Sequence, residues 1–333
     1  MGDKWGYTDK TGKVVIKPQF GYAGDFYEGL AVVRMVDKWG YIDKTGKILI
    51  EPQFNLAEDF SEGLAAVRMG DKRGYIDKTG EIVIKPQFNN AGDFSEGLAR
   101  VWIGNKSGYI DKTGKILIEP QFSILAEPFS EGLAAVIIDN KWGFIDKSGK
   151  VLIEPQFDFA PPSYDRGVAN SDWLPPRFSE ELAAVRMGDK SGYIDKTGKV
   201  VMELQFYRAE PFSEGLALVK NPREGYIDKT GKMVFKLQFC GAGDFHEGLA
   251  RVKKYGKDSG FGPDCKYGYL DRTGKVVLDP QFDAASHFSE GLAAVGIHGK
   301  WGYIDKTGKV VIKPQFRDAW DFHEGLAVVQ IED

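Results

Sequence analysis

KWGYIDKTGKILIEPQFNLAEDFSEGLAAVRMGD, residues 38–71, decides how this chain folds. Its apolar runs are four to six residues long and are punctuated by Gly, Asp and Pro. That is the spacing of strands rather than of helices. Three strands are predicted: Gly40 to Asp43, Lys47 to Phe54 with a break at Pro52, and Leu64 to Met69. In the D-K-T-G link, Asp43 can accept hydrogen bonds from the turn amides and Gly46 can take the left-handed conformation that closes a hairpin. The third strand runs through Gly70 and Asp71 into the first strand of the next copy, so neighbouring copies are expected to be hydrogen-bonded together. The remaining stretch, F-x-x-A-x-x-F-S-E-G-L-A, reads as a return segment between the second and third strands.

The same stretch recurs along the whole chain. KWGYTDKTGK at 4–13, KWGYIDKTGK at 38–47 and KRGYIDKTGE at 72–81 fix a period of 34 residues. Nine repeats account for a single repeat domain over 1–333: 4–37, 38–71, 72–105, 106–140, 141–189, 190–222, 223–265, 266–299 and 300–333. The repeated Phe and Ala, such as Phe20, Ala23 and Phe26, are too apolar for one short repeat to cover, so stacked repeats must supply the core. The expected fold is all-β, a tandem array of three-stranded antiparallel repeats forming an open β-superhelix or solenoid. A closed propeller-like ring is the alternative, because the first and last repeats lack the atypical sequence of capping repeats and the chain ends could meet. End-to-end self-association is the other way to satisfy such ends.

K-W-G-Y-I-D-K-T-G-K, followed by P-Q-F and by F-S-E-G-L-A, resembles the WG (or KWG) repeat family of bacterial proteins. The resemblance covers essentially the whole chain. It implies protein interaction and no shared catalytic chemistry or cofactor, so no active-site residue is carried over. The Trp of the signature varies here: Trp5, Trp39, Arg73, Ser107, Trp142, Ser191, Glu224, Tyr267 and Trp301 occupy it. Since uncompensated burial of Arg, Glu or Ser is costly, the position is expected to be partly exposed. The Gly that follows is present in every repeat, which points to close backbone approach.

Composition narrows the function. With 44 basic and 48 acidic residues the net charge is -4, and no run of basic residues offers a phosphate-binding patch. Nucleic acid is not an expected partner. No stretch approaches the length of a transmembrane helix, and MGDKWGYTDK lacks the apolar core of a signal peptide. Those features fit the bacterial cytoplasm or an exported fragment. Cys240 and Cys265 lie in one enlarged repeat, where a disulfide and two idle thiols both remain open.

Catalysis needs a polar constellation found once, whereas the Asp of D-K-T-G and the Glu of E-G occur in repeated places. They read as a turn-capping Asp and a Glu bonded to backbone amides or a nearby Lys. No H-E-x-x-H, C-x-x-C, Walker or G-x-S-x-G element occurs, so no catalytic residue, metal site or cofactor is expected. The chain reads as a non-enzymatic scaffold for protein or peptide, the alternative being a surface or envelope component that binds glycan through exposed aromatics. Two sets of residues are candidate partner-binding groups. One is the insertion 161–177, PPSYDRGVANSDWLPPR, with Tyr164, Asp165, Arg166, Asp172 and Trp173. The other is the signature Trp at Trp39, Trp142 and Trp301. Alternating charge before P-Q-F, from Lys17 through Glu51 and Lys85 to Glu119, is expected to fix the register of neighbouring repeats.

Overall fold

The computed structural model describes residues 4–158, 175–255 and 265–331. Two compact bodies are present. The first comprises Met1–Gly70, Tyr75–Ile82 and Gln238–Asp333, and the second Asp71–Gly74 and Val83–Leu237.

Each sheet is built from the second half of one repeat and the first half of the next. In the first body, Tyr22–Tyr27, Leu30–Met35, Lys38–Asp43 and Ile48–Phe54 form a four-stranded antiparallel sheet in that order. The same order recurs in the second body, for example in Asn90–Ser95, Leu98–Ile103, Lys106–Asp111 and Ile116–Phe122. One sheet of the first body is assembled from both chain ends: Trp5–Asp9 pairs with Leu326–Gln330, with Trp5 opposite Gln330 and Asp9 opposite Leu326. Consecutive antiparallel sheets, among the described residues eight of four strands and one of three, with one of them shared by the two ends, give the strand order of a β-propeller. Both parts of the sequence expectation are thereby corrected. The repeat has a fourth strand, and the ends are joined by a ladder instead of standing open as in a superhelix.

The fourth strand is Tyr22–Tyr27 and its counterparts, which the sequence presented as a return segment. It reaches Leu30 through a two-residue turn, Glu28-Gly29, whose φ angles are both positive, 54° and 85°. Such a turn matches the twist of a hairpin but is unfavourable for a non-glycine residue. The Glu side chain supplies a compensation. Glu28 accepts a hydrogen bond from the Gly63 N–H of the neighbouring sheet, with its two oxygens 3.2 and 3.1 Å away, and pairs with Lys78 Nζ at 3.0 Å. The same clip joins Glu324 to Gly29 and Lys44, and Glu290 to Gly325 and Lys10. In the second body it joins Glu96 to Gly132 and Lys147, and Glu180 to Gly215 and Lys229. The inter-repeat charge pairing therefore lies between D-K-T-G and E-G. Lys17, Glu51, Lys85 and Glu119 are exposed, and no ion pair among the described residues joins them.

The core lies between sheets. Tyr7 and Phe20 of one sheet pack with Phe26, Ala31 and Val33 of the next. The Tyr of W-G-Y is fully buried at Tyr7, Tyr41, Tyr109, Tyr193 and Tyr303. Its ring meets the Phe before S-E-G, at 5.0 Å for Tyr7 and Phe26 and 4.9 Å for Tyr41 and Phe60. Its hydroxyl donates to a backbone carbonyl in, or just after, the first strand of the neighbouring sheet: Tyr7 to Gly24 at 2.7 Å and Tyr41 to Glu58 at 2.6 Å. The signature Gly is there for close approach. A Cβ on Gly40 would lie 2.5 Å from the Ile50 carbonyl oxygen. In the D-K-T-G turn, Asp43 Oδ1 accepts from the Thr45 N–H at 2.9 Å, the Thr45 hydroxyl at 2.6 Å and the Lys47 N–H at 3.0 Å. The Thr45 hydroxyl foremost, with those amides, holds the Asp43 carboxyl below its usual range. Cys240 and Cys265 are free thiols.

This packing sets the cost of single substitutions. Phe94→Ala, which removes a ring only 2% exposed, should cost about 3–5 kcal/mol in a denaturant titration, and Tyr41→Phe about 1 kcal/mol through its lost hydrogen bond. Trp39→Ser should cost less than Phe94→Ala, because Trp39 is only partly buried. Acid should weaken the clips. Burial pushes the Glu290 and Glu247 carboxyls up, but Lys10 and Lys306, with the Gly N–H groups, outweigh it and hold both below the ordinary value. Their contribution is present above the unfolded-state value of about 4.3 and is lost as pH falls through the lowered folded-state value. Glu247→Gln should reduce the steepness of acid unfolding below about pH 4.5, and an unchanged acid limb would contradict this assignment.

Candidate functional site

The first body carries a continuous run of four partly exposed aromatic side chains. Trp5 and Trp320 have ring centroids 5.5 Å apart, Trp320 and Tyr22 6.1 Å, and Tyr22 and Trp39 5.0 Å. Two rows across adjacent sheets produce it. In one, Asp318 is opposite Gln330 and Gln330 is opposite Trp5; in the next, Tyr22 is opposite Arg34 and Arg34 is opposite Trp39. Trp320 bridges the rows, and its carbonyl is held by the Tyr303 hydroxyl at 2.7 Å. The rings rest on the cores beneath them but keep part of their surface open. The Arg34 guanidinium lies 5.8 Å from the Trp39 ring centroid, where the ring face attracts a cation.

Carboxylates surround this run. Asp25 and Asp321 precede the Phe of the first strand in their sheets, and Asp59 is their counterpart in the next sheet. Burial raises the Tyr22 phenol, and the charges of Asp59, Asp25 and Glu58 raise it further. Burial, then Asp321, Asp25 and Asp318, does the same to Tyr303. Asp25 itself is pushed up to about 6, mainly by burial, with His323 opposing and Asp321 adding to the shift. Its Oδ2 is 3.5 Å from His323 Nε2, and its Oδ1 is buried with no hydrogen-bond partner among the described residues. Asp321 accepts a hydrogen bond from the Ser286 hydroxyl. Further along, the His246 and His287 rings are 4.1 Å apart, and burial first, then His246, keeps the His287 imidazole below its usual range. Among the described residues no group of three or more His, Cys, Asp or Glu side chains is placed to hold a metal ion.

Trp39 belongs to the aromatic run. Trp301 is partly buried against another core of the same body, and Trp142 is 5% exposed within a core of the second body. The expectation of general exposure at this position is corrected there, and again at Ser107 and Ser191, which are buried at 0% and 7% exposure. Polar occupants find backbone acceptors. The Ser107 hydroxyl donates to the Ser123 carbonyl at 2.6 Å, and Arg73 Nη1 to the Ala91 carbonyl at 3.1 Å. Burial of these groups is therefore compensated. Tyr164, Asp165, Arg166, Asp172 and Trp173 lie outside the described residues. Sequence reasoning missed Tyr22 and Trp320 because both stand at variable positions of the segment read as a return. His323 stands at the Ser position of F-S-E-G and lies beside Asp25.

In fold, the chain is similar to a structure described as the crystal structure of the eukaryotic initiation factor, at 10% identity over 93% of this chain and 95% of that one, with a TM-score of 0.60. The apo structure of AztD from Citrobacter koseri aligns at 13% identity over 100% and 99% of the two chains, with a TM-score of 0.43. Identities this low speak to the fold alone. No curated protein matches the sequence. The WG containing repeat matches in nine successive segments, at 5–39, 39–72, 74–106, 108–142, 142–169, 192–221, 225–257, 267–301 and 301–333. The chain belongs to the WG containing repeat family.

Proposed function

We propose that this protein is a non-enzymatic binding scaffold whose partner is a protein or peptide. The run Trp5, Trp320, Tyr22 and Trp39 carries the reading. Partly exposed aromatic side chains in contact with one another are costly to leave in water, and Trp and Tyr are the residues that anchor binding surfaces. The repeated polar groups support a non-catalytic reading because the structure already employs them. Asp43 and its counterparts close turns, and Glu28 and its counterparts clip sheets together. Neither set converges on one place, as an acid and base pair would have to.

The insertion 161–177 is proposed to add selectivity, since it occurs once while the repeats present similar groups many times. A glycan stacked on the same aromatic run is the other reading, and the run itself favours it over any surface lacking rings.

Capture with immobilised protein separates these. Tyr22→Ser combined with Trp39→Ser should reduce recovery of a direct partner at least about tenfold, whereas Trp301→Ser should leave it unchanged. Deleting 161–177 should change which partner is recovered without abolishing capture. Recovery equal to that of the parent from the double variant would remove the aromatic run from the function. Retention of a carbohydrate in place of a polypeptide on a glycan array would replace the protein reading by the glycan one.

A further inference from the structure

We infer that the aromatic run binds a cationic peptide segment, with an arginine or lysine side chain seated at the Trp5 and Trp320 end and neutralised by the carboxylates around it. The inference rests on the binding role proposed above and names the chemistry of the ligand.

The repeats themselves show what the signature position does with a ring. Where Trp39 faces Arg34 across the strands, the guanidinium lies over the ring at 5.8 Å. Where Tyr267 faces Lys253, the ammonium lies over the ring at 5.6 Å, and Arg251 stands over the same ring at 5.3 Å. At these two places the ring takes a cation from its own sheet, whereas Trp301 faces Gly296 and has no cation over it among the described residues. Trp5 also lacks a cationic neighbour, and its row alone is acidic: its cross-strand neighbour is the neutral Gln330 and the next residue is Asp318. Among the described residues no cation lies over Trp5 or Trp320.

Charge points the same way. Asp321, Asp25 and Asp318 all act on the Tyr303 hydroxyl that holds the Trp320 carbonyl, and Asp318 stands in the same cross-strand row as Trp5. Asp318 Oδ1 accepts from the Ala319 N–H at 2.9 Å and Asp321 from Ser286, which are neutral donors that leave the negative charge in place. His323 beside Asp25 is the neighbouring cation, and only when protonated. Elsewhere in the same body carboxylates facing a neighbouring sheet have lysine partners, as Glu28 has Lys78 and Glu247 has Lys306. An incoming guanidinium or ammonium would complete both patterns at once, covering the open ring faces and offsetting the negative charge of Asp318, Asp321 and Asp25. Neutral sugars would use the rings but leave the carboxylates uncompensated.

The test is isothermal titration calorimetry of the full chain with the peptide acetyl-(Gly-Arg)3-amide, its citrulline isostere and chitohexaose. The arginine peptide should bind at least about tenfold more tightly than the citrulline peptide. Asp25→Asn and Asp318→Asn should each weaken it several-fold, and both should unfold at the parent's midpoint or above. Trp5→Ser should also weaken it, with circular dichroism confirming the fold; if that variant misfolds, the two Asn variants decide. Equal affinity for the arginine and citrulline peptides, lost in Trp5→Ser, would overturn the cationic ligand but keep the run as a binding surface. Tight chitohexaose binding lost in the same variant would also overturn it, in favour of glycan. No heat with any probe would overturn the inference, while the binding role would then stand or fall on the capture experiment alone.

Discussion

A buried tyrosine that packs on a phenylalanine of the next sheet, and donates its hydroxyl to that sheet's backbone, is the contact on which the rest of this structure depends. The two residues belong to one sequence repeat but to two different sheets, as Tyr7 and Phe26 do. Each repeat therefore welds one sheet to its neighbour, and the strand ladder welds one repeat to the next. Neither half is stable alone, because a four-stranded sheet of this size leaves apolar surface on its faces. The hydroxyl also fixes position, since a buried phenol without an acceptor would cost a few kcal/mol at most and a misplaced sheet would leave it without one. Repeat five carries Phe144 in place of Tyr, with its ring 5.0 Å from Phe178. That is the repeat in which the insertion begins at 161, seventeen residues on, where the other repeats supply the accepting carbonyl.

Backbone strain and charge are coupled in the E-G turn. A left-handed Glu is costly, and the clip to a Gly N–H and a Lys of the adjacent sheet recovers part of that cost. Each ion pair is half exposed and contributes only about 0.2–1 kcal/mol, so the clips matter by recurrence and by fixing the turn. Asp25 works in the opposite sense. With its carboxyl raised, it favours the folded state below about pH 4 and progressively less as pH rises through about 6. Asp25 is thus charged at neutral pH at some expense in stability.

The period, the all-β class and the capping role of Asp in D-K-T-G were legible because each depends on local chemistry. So was the pairing of the repeated Glu with backbone amides and Lys, although not its geometry. The fourth strand was not legible, for Tyr22–Tyr27 is broken by Gly24 and ends in Glu28-Gly29, a dipeptide that ordinarily says nothing about a hairpin. Its identity depends on a clip to another sheet, which no window of sequence contains. Partial exposure held at six of the nine signature positions and failed at Ser107, Trp142 and Ser191, for a related reason: whether a Ser can be buried there depends on a carbonyl such as that of Ser123, sixteen residues away from Ser107. Trp39 was legible as a candidate, but Tyr22 became its neighbour through the unread fourth strand, and Trp320 came beside Tyr22 and Trp5 only through the joining of the chain ends.

Hydrogen–deuterium exchange of the full chain with and without the arginine peptide tests the central claim most directly, because it reads location without altering the protein. Slower exchange on binding is expected in residues 4–8, 20–27 and 317–323, with the rest of the chain unchanged. Protection confined to 161–177, or spread evenly over the repeats, would contradict a binding role for the aromatic and acidic tract.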